Sequence, residues 1–485
     1  MQEIKLKLAS PGWSPSIIKR LGKVLIEYQH RFSKGQDDLG LYKSDPFEIK
    51  LKEDAKTPIA SRSYRYNPVE AKEVEAIIDQ YLKAGIIRRS QSPYAAPIVV
   101  VLKKNGKIRI TCDYRRLNQA TVIPQAPIPR IDELLDTLGS AKCFSSFDMM
   151  SGFHQIMIGK NSVPLTAFCT TSGLYEFLVM PMGTSGSPGH FQRVMQNVTA
   201  DLAQFVTLYI DDVLIRSNDE ASMVDHIEKF LKALTKHNLK ISPSKTEIGA
   251  EEINFLGHTI SPRGATPDAK KVDALRKLPM PNNITELRSL LGGLSYYRKF
   301  WSNLPRRLQP LTRLLKKDVP FHFTREMEMT VREILGVLTE SPVLVHPDFE
   351  AARDGTRKFR LYCDASAAGF GATLEQPQKD NSIRPIVYLS RTVLPNELGW
   401  APIEKEAGCI VWAIERLRQY LFLIPFDVYT DHSPLTSLLR VGDSNARVQR
   451  WVEFLTAYNY KIIYRKGAAH GNADILSRLC QPATD

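Results

Sequence analysis

The sequence has few cysteines and no long apolar run, and both absences narrow the classes of protein it can encode. Its 485 residues include six cysteines, spread along the chain without a CxxC pair or a close Cys/His pairing. We therefore exclude a disulfide framework and a structural zinc site, and we expect a reducing compartment. The longest apolar stretch, residues 95–102, is far shorter than the roughly 18–20 residues that cross a bilayer, and the first thirty residues show no secretory signal. We expect a soluble, intracellular protein that does not bind membranes.

Positive charge is in excess. Lys and Arg number 65 against 52 Asp and Glu, which gives a net charge of +13, and 43% of the residues are hydrophobic. A chain of this length and composition predicts about three domains with buried cores. The basic surplus favours a polyanionic partner, nucleic acid before membrane. On composition alone, a merely basic soluble protein is an equal alternative.

Periodicity predicts one large α+β body, a helical extension and a small α/β domain. Residues 1–60 mix charge, Pro and Gly, which predicts an irregular lead-in. The large body is predicted to contain helices at 69–85, 131–139 and 221–238, strands at 142–148 and 252–260, and hairpins at 97–114 and 202–218. Residues 268–317 are predicted to be helical. Residues 341–358 contain several breakers and no periodicity, so we predict an inter-domain linker there.

Three acids of the large body stand at the ends of predicted strands. Asp148 ends a β run, and Asp211 and Asp212 lie at the tip of the second hairpin. Taken singly, Asp148 is equally well a helix N-cap, and the Asp pair a solvated turn. Brought together, three carboxylates would repel one another unless a divalent cation neutralised them. Oxygen ligands of this kind suit Mg²⁺, and a pair of such ions serves phosphoryl transfer.

The small domain repeats this pattern with four acids. Asp364 and Asp431 end strands, Glu406 lies on a helix, and Asp474 opens the last helix. Alternatively, Asp474 is an N-cap and Glu406 is a helix-surface acid. If the four acids face one sheet edge, they make a second two-metal site. Both sets in one chain favour the catalytic interpretation.

Eight short motifs, in this order along the chain, resemble a known family. The motifs FDMMSGFHQI (147–156), MPMGTSGSPGHFQ (180–192), YIDD (209–212) and FLG (255–257) resemble the core motifs of reverse transcriptases. The motifs DAS (364–366), EKEA (404–407), TDH (430–432) and GNADILSR (471–478) resemble the RNase H that follows them. The combination is similar to the Pol segment of gypsy-like (Metaviridae) long-terminal-repeat retrotransposons.

The resemblance implies an α+β right-hand polymerase of fingers, palm and thumb, followed by an α/β RNase H-like domain. It divides the chain into a lead-in (1–60), reverse transcriptase fingers and palm (61–260), a helical thumb (261–340), a linker (341–358) and an RNase H domain (359–485).

The resemblance also implies a role for particular residues. The metal-binding catalytic acids would be Asp148, Asp211 and Asp212 in the polymerase, and Asp364, Glu406, Asp431 and Asp474 in the nuclease. The substrate-binding residues would be Lys103, Arg109, Phe153 and Gly183, and the primer grip would be Phe255, Leu256 and Gly257. Phe153 would exclude a 2′-hydroxyl, with a core aromatic as the alternative. Lys245 would donate a proton to pyrophosphate and His470 would assist product release, against the alternatives of a solvated lysine and a surface histidine.

Much of the basic surplus lies in one helical segment. Residues 286–317 hold eight Lys and Arg against one acid, a net charge of +7 within the chain's +13. Arg288, Arg298, Lys299, Arg306 and Arg307 belong to this segment, which the family resemblance makes the thumb. A solvated basic face is the alternative, but a sequence-independent clamp on the phosphate backbone is the favoured interpretation.

We therefore predict an RNA- and DNA-directed DNA polymerase with RNase H activity and two Mg²⁺ ions per site, Mn²⁺ being a possible substitute. The predicted partners are an RNA template, an RNA–DNA hybrid, a DNA primer–template and dNTPs, with the chain a monomer or a homodimer. The predicted location is the cytoplasm, within virus-like particles. Three alternatives stay open: a binding protein with lapsed metal sites, a structural subunit of an active partner, and a stand-alone hybrid nuclease.

Overall fold

A computed structural model describes residues 6–8, 12–35, 37–102, 106, 108–139, 141–301, 304–339, 343–367, 369–432, 435 and 446–464. The chain divides into two compact units, Met1–Leu256 and Gly257–Asp485. No helix within the described ranges is long and apolar enough to cross a membrane. The cysteines in these ranges are free thiols: Cys112, Cys143, Cys169, Cys363 and Cys409.

The centre of the first unit is a five-stranded sheet. In spatial order its strands are β1 (Lys7–Leu8), β14 (Glu247–Ala250), β8 (Cys143–Asp148), β13 (Asp212–Ser217) and β12 (Val206–Tyr209). Helices α5 (Ser187–Val198) and α6 (Glu220–Lys236) pack against this sheet. The apolar residues of α6 recur every three or four positions, which places them on one buried face: Met223, Val224, Ile227, Phe230, Leu231 and Leu234.

A second five-stranded sheet of this unit contains the first predicted hairpin. In spatial order its strands are β4 (Ile87–Arg89), β11 (Gly173–Phe177), β10 (Phe168–Thr170), β5 (Ala96–Leu102) and β6 (Ile108–Cys112). Strands β5 and β6 pair antiparallel, as the sequence predicts. Helix α2 (Pro68–Lys83) packs on this sheet and begins at a capping box between Asn67 and Glu70. Helices α3 (Arg115–Ala120) and α4 (Ile131–Asp136) are short.

The predicted irregular lead-in is wrong for part of residues 1–60. Helix α1 (Pro15–Glu27) follows the N-cap Ser14 and contacts α6. Its buried Leu21 and Val24 have helical spacing, which the mixed charge of the surrounding residues obscured. Two further strands tie this segment down, since β2 (Tyr42–Phe47) pairs with β9 (Ile156–Ile158) and β3 (Lys50–Leu51) with β7 (Thr121–Val122).

The predicted strand 252–260 is two strands, β15 (Ile253–Phe255) and β16 (His258–Ser261). Leu256 and Gly257 separate them with positive φ angles of 46° and 74°, which lie outside the range of regular β-strands. In the second unit, β16 pairs antiparallel with β17 (Gly264–Pro267). Helices then follow in sequence: α7 (Ala269–Arg276), α8 (Ile284–Tyr296), α9 (Leu304–Arg307), α10 (Gln309–Arg313) and α11 (Arg325–Thr339).

The rest of the second unit is built on one mixed sheet. In spatial order its strands are β20 (Ile383–Thr392), β19 (Gly369–Pro377), β18 (Phe359–Ala365), β21 (Phe426–Thr430) and β22 (Tyr460–Tyr464). The helices are α12 (Phe349–Arg353), α13 (Pro402–Arg416), α14 (Arg418–Leu421) and α15 (Ala446–Leu455). Helix α12 lies inside the predicted linker 341–358, and its Ala352 is fully buried in the core of this sheet.

Candidate active sites

Strand pairing brings the three acids of the first unit together. Asp148 is the last residue of β8, and it lies opposite Asp212, the first residue of β13, in the antiparallel register. Asp211 occupies the two-residue turn between β12 and β13, where Tyr209 pairs with Asp212. The backbone N–H of Met149 donates to the Asp211 carbonyl oxygen at 3.2 Å, which joins the turn to the strand that carries Asp148.

The carboxyl group of Asp211 is strongly perturbed. Burial, followed by the charges of Asp148 and Asp212, raises its pKa from 3.8 to about 7, with Lys245 acting in the opposite direction. Its Oδ1 is buried and has no hydrogen-bond partner. Lys245 Nζ lies 2.9 Å from Asp148 Oδ2 in an ion pair. A buried carboxylate oxygen without a partner, beside two further acids, is suited to hold a divalent metal ion.

Gly152 lies next to this turn and next to the ring of Phe191, which in turn contacts the ring of Phe153. Phe153 is half-buried and packs against Phe191 of α5, with ring centroids 5.5 Å apart. Gly152 lies so close to the turn that a Cβ at this position would stand 2.5 Å from Asp211 Oδ1 and 2.7 Å from the Phe191 ring. Gly152 had no predicted role, although it directly precedes Phe153.

Of the other predicted nucleotide-binding residues, the structure describes Arg109 on the second five-stranded sheet and Gly183 on a loop. Arg109 is exposed on β6, whereas Lys103 lies outside the described residues. Gly183 has a φ of 97°, and a Cβ there would meet the Cys112 carbonyl oxygen at 3.0 Å. The side chain of Asn118 donates to the Gly183 carbonyl at 3.0 Å and accepts from the Ser185 N–H at 2.9 Å. Asn118 therefore holds this loop, a role that its sequence context did not signal.

The predicted primer grip, Phe255 to Gly257, lies at the point where the chain passes from one unit to the next. Phe255 is buried and Leu256 half-buried. The Gly257 carbonyl accepts from the Tyr297 hydroxyl at 3.0 Å and from the Asp268 N–H at 3.0 Å. Since Gly257 has a positive φ and a Cβ would lie 2.9 Å from Lys271 Nζ, a larger residue would distort this turn.

In the second unit, three of the four predicted nuclease acids converge. Asp364 lies near the end of β18, Glu406 on α13, and Asp431 directly after β21. Each offers a carboxylate oxygen, and these atoms lie within 4.8 Å of one another. This spacing fits a divalent metal ion. Asp474 and His470 lie outside the described residues.

Glu406 is the buried member of this cluster. Burial, followed by the charge of Asp364, raises its pKa from 4.5 to about 8. Its Oε1 accepts from the Ala365 N–H at 3.2 Å, while Oε2 is buried without a hydrogen-bond partner. One turn along α13, the Cys409 thiol donates to the Asp364 carbonyl at 3.3 Å. Cys409 thus contacts the backbone of Asp364 through a hydrogen bond. The scattered positions of the cysteines in the sequence did not suggest this role.

The predicted basic clamp contains two kinds of residue. Arg288 and Arg298 are exposed. Arg307 instead forms an ion pair with Glu333 at 2.6 Å and lies 5.2 Å over the Trp301 ring. The Nζ atom of Lys299 is 5.5 Å from the Phe300 ring centroid. The side chain of Arg306 lies outside the described part of the chain.

Two family models match the chain. Residues 101–260 match the reverse transcriptase (RNA-dependent DNA polymerase) family, and residues 354–458 match the RNase H-like domain found in reverse transcriptase. The matches contain both described acid clusters and have the predicted order. The ends of the predicted domains remain predictions.

Known proteins resemble the chain over most of its length. It is 36% identical over 451 residues to the retrovirus-related Pol polyprotein from transposon opus of Drosophila melanogaster, covering 89% of this chain and 44% of that protein. It is 34% identical over 441 residues to the Pol polyprotein from transposon gypsy of the same organism, covering 87% of this chain and 42% of that protein. The chain thus spans less than half the length of these relatives.

A solved structure has the same fold. The foamy viral protease-reverse transcriptase in complex with an RNA/DNA hybrid matches with a TM-score of 0.78 at 22% identity, covering all of this chain and 66% of that one. This likeness confirms the predicted fold class, a right-hand polymerase followed by an RNase H-like domain. The chain therefore belongs to the reverse transcriptases of retrovirus-related Pol polyproteins, with a reverse transcriptase domain followed by an RNase H-like domain.

Proposed function

We propose that the chain is an RNA- and DNA-directed DNA polymerase that also cleaves the RNA strand of RNA–DNA hybrids. The observation that carries this proposal is the pair of acid clusters, one in each unit. Each cluster contains a buried carboxylate oxygen without a hydrogen-bond partner, on Asp211 and on Glu406. Carboxylates with raised pKa values in such clusters are typical of catalytic centres.

In the polymerase site, the primer 3′-hydroxyl attacks the α-phosphorus of a deoxynucleoside triphosphate and pyrophosphate leaves. Asp148, Asp211 and Asp212 would hold two Mg²⁺ ions, for which Mn²⁺ is a possible substitute. When bound, the ions supply charge neutralisation and activation of the attacking hydroxyl. Lys245 forms an ion pair with Asp148 and is therefore a cation close to these acids. It is proposed as the proton donor to pyrophosphate.

The nucleotide would be gripped and selected by residues around this cluster. Lys103 and Arg109 would bind the triphosphate, because an ammonium and a guanidinium are good phosphate partners. Phe153 would exclude a 2′-hydroxyl, and its packing against Phe191 supports a fixed ring position. Gly183 would leave room for close approach, and Phe255, Leu256 and Gly257 would hold the primer.

In the nuclease site, water attacks the phosphodiester of the RNA strand. Asp364, Glu406, Asp431 and Asp474 would hold a second pair of Mg²⁺ ions, and His470 would assist product release. The 4.8 Å cluster of the first three acids supports this assignment.

The proposed partners are an RNA template, an RNA–DNA hybrid, a DNA primer–template and dNTPs. The foamy viral structure of the same fold contains an RNA/DNA hybrid, and the exposed Arg288 and Arg298 supply positive charge for a phosphate backbone. We further propose that the chain acts in the cytoplasm, within virus-like particles, as a monomer or a homodimer. This location is the one that the resemblance to long-terminal-repeat retrotransposons implies.

A single assay tests both activities. Primer extension on RNA and DNA templates is followed in the same tube as cleavage of a labelled RNA strand. We expect Asp211→Asn to abolish extension and leave hybrid cleavage unchanged, and Glu406→Gln to do the reverse, because the two clusters belong to different units. Normal extension by Asp211→Asn would refute the polymerase site, and normal cleavage by Glu406→Gln the nuclease site.

A further inference from the structure

The turn that carries Asp211 contains a residue in an unfavourable conformation. Ile210 and Asp211 are the two central residues of the turn between β12 and β13, and of these only Ile210 has a positive φ, at 54°. A two-residue hairpin with positive φ at its first central position normally has glycine there. A β-branched side chain in this region is strained, because its Cβ approaches the following carbonyl.

One buried side chain holds this turn. Gln192 of α5 is 1% exposed, and its Oε1 accepts from the backbone N–H of Ile210 at 2.7 Å. Its Nε2 donates to the carbonyl of Leu208 on β12 at 3.5 Å, a long and weak contact. The short bond fixes the orientation of the peptide group that precedes Ile210, the group whose rotation would let φ return to an ordinary value.

The turn is held on its other side as well. The Asp211 carbonyl accepts from the Met149 N–H at 3.2 Å, so the backbone on both sides of the Ile210–Asp211 peptide is tied to neighbouring elements. Gly152 lies close to the Asp211 side chain and to the ring of Phe191. Within this arrangement, the hydrogen bond from Ile210 to Gln192 is the contact that a single side-chain change can remove.

We propose that Gln192 is a positioning residue of the polymerase site: its amide oxygen holds Ile210 in the left-handed conformation that places Asp211 beside Asp148. This inference rests on the proposed polymerase function. Gln192 contacts no reacting group, and it acts through the turn. A strained backbone conformation at an active site persists only where neighbouring groups hold it in place. Gln192 is such a group for Ile210.

The test is a double-mutant cycle between positions 192 and 210. Gln192→Met keeps the size of the side chain and removes both hydrogen bonds, so Asp211 is released and kcat for primer extension falls on the order of 10- to 100-fold. Ile210→Gly removes the strain, and with it the need for Gln192. In the Ile210→Gly background, Gln192→Met should therefore lower kcat much less than it does in the wild-type background. This comparison holds even if Ile210→Gly itself lowers kcat through missing side-chain packing.

A second readout does not depend on polymerisation. Mn²⁺ binding to the polymerase site is measured by electron paramagnetic resonance in a Glu406→Gln background, which impairs the nuclease site. We expect Gln192→Met to weaken this binding and Ile210→Gly to restore it. Urea unfolding followed by circular dichroism reports whether the first unit of the Gln192→Met chain is folded, because hybrid cleavage reports only on the second unit. If the chain is unfolded, Gln192→Asn replaces it, because the amide is kept but is one methylene too short to reach Ile210.

Gln155 supplies the matched control. It is fully buried in the same unit, and its amide bonds to the backbone of Met150 and Lys240 but not to the turn. Any loss in Gln155→Met should be unaffected by Ile210→Gly. Unchanged kcat and unchanged Mn²⁺ affinity in Gln192→Met, or effects at 192 and 210 that simply multiply, would overturn the proposal. Absence of primer extension by the wild-type chain would instead overturn the polymerase function, while the Mn²⁺ cycle would still report on Gln192.

Discussion

Asp211 and Glu406 are two acids in different domains whose surroundings act on them in the same way. For both, burial is the largest cause of the raised pKa, and the neighbouring carboxylates add to it. Both carry a buried oxygen without a hydrogen-bond partner. Each acid is therefore held in a place that disfavours its charge, and the protein without metal bears a free-energy penalty for ionising it.

This penalty predicts how stability depends on pH when metal is removed. Because the pKa of Asp211 is about 7 in the folded protein and 3.8 ordinarily, the folded state binds the proton more tightly, so stability falls as pH rises from about 4 to about 7. Asp211→Asn removes this loss. In EDTA, we expect the variant to gain up to about 3 kcal/mol over the wild type between pH 5 and pH 8, measured by urea unfolding with circular dichroism.

Asp201, an exposed acid of the same unit, provides the control for this experiment. Asp201→Asn should leave the pH dependence of unfolding as it is in the wild type. If wild type and Asp211→Asn lose the same stability between the two pH values, the Asp211 carboxyl is not held against its charge.

At the scale of elements, the 3₁₀ turn Gly152–Gln155 lies against the hairpin that carries Asp211. The contact leaves no room for a side chain at Gly152, the first residue of the 3₁₀ turn. A methyl group at Gly152 would meet Asp211 Oδ1 and the ring of Phe191 well inside van der Waals distance. We expect Gly152→Ala to displace Asp211 and reduce primer extension on the order of 100-fold, while hybrid cleavage is kept. Steady-state extension and cleavage rates measure the two effects.

Gly22 of α1 is the matched glycine for this comparison, since a Cβ there would meet nothing within 4 Å. Gly22→Ala should leave extension intact and stabilise the helix by roughly 0.5–1 kcal/mol. Equal extension rates for Gly152→Ala and Gly22→Ala would show that the approach to Asp211 does not constrain the turn.

The arginines of the basic segment, residues 286–317, have different surroundings, so we expect their substitution to have different effects on hybrid binding and on stability. Arg288 on α8 and Arg298 just after it are exposed, whereas Arg307 on α9 is held by Glu333 and Trp301. We expect the double reversal Arg288→Glu/Arg298→Glu to weaken hybrid binding on any sequence and to reduce the slope of log K against log salt by about 2. Titrations at several salt concentrations measure this slope.

Arg332→Glu, on α11 outside the basic segment, is the control for reversed charge. Arg332 pairs with Glu328 on the same helix. Its reversal should change the salt slope little. Arg307→Glu should destabilise the unit as well as weaken binding, because it breaks an ion pair and a contact with the Trp301 ring. If the salt slope is unchanged in Arg288→Glu/Arg298→Glu, the two arginines do not contact the phosphate backbone and belong to an ordinary solvated surface.

At the scale of the whole molecule, the helical segment and the nuclease sheet are joined by backbone pairing inside the second unit. Leu344 exchanges two hydrogen bonds with Ala265 of β17, and it packs in the core of the helical segment. The next residue, Val345, packs in the nuclease core and donates to Pro385 of β20. Leu344 and Val345 are thus consecutive residues that pack in two different cores. They join the helical segment and the nuclease sheet within one compact unit.

Gly264 is the position where this junction is most sensitive. It has a φ of 133°, and a Cβ would stand 2.1 Å from the Leu344 carbonyl oxygen, a backbone atom that cannot turn away. We expect Gly264→Ala to destabilise the second unit by about 1–3 kcal/mol. Tryptophan fluorescence in urea follows it directly, because four of the five tryptophans lie in this unit.

Gly336 of α11 serves as the control, since a Cβ there would meet nothing within 4 Å. Gly336→Ala should be neutral or slightly stabilising in the same measurement. If Gly264→Ala and Gly336→Ala unfold at the same urea concentration, the Ala265–Leu344 pairing does not hold the two regions together.

Local signals in the sequence were sufficient for several elements. Helical spacing in the sequence predicted α2, the dipeptide Asn105-Gly106 between two apolar runs predicted the β5–β6 hairpin, and Asp148 ends a run of strand-forming residues. These features act over a few residues, so the sequence alone shows them. Helix α1 was missed because the charged residues among its apolar positions, within a stretch that also contains Pro and Gly, obscured its helical spacing.

The type and order of the residues indicate the chemistry of this protein, because carboxylates at strand ends and a run of arginines can be seen in the sequence without a structure. Motifs indicate the family, and periodicity predicts most of the core elements. Folding in three dimensions sets which groups act on one another: Asp212 lies opposite Asp148, Gln192 holds the turn that carries Asp211, Glu406 lies against Asp364, and Arg307 is bound to Glu333 rather than exposed. Burial, pKa and pairing arise from long-range contacts, and such contacts form only when distant segments fold together.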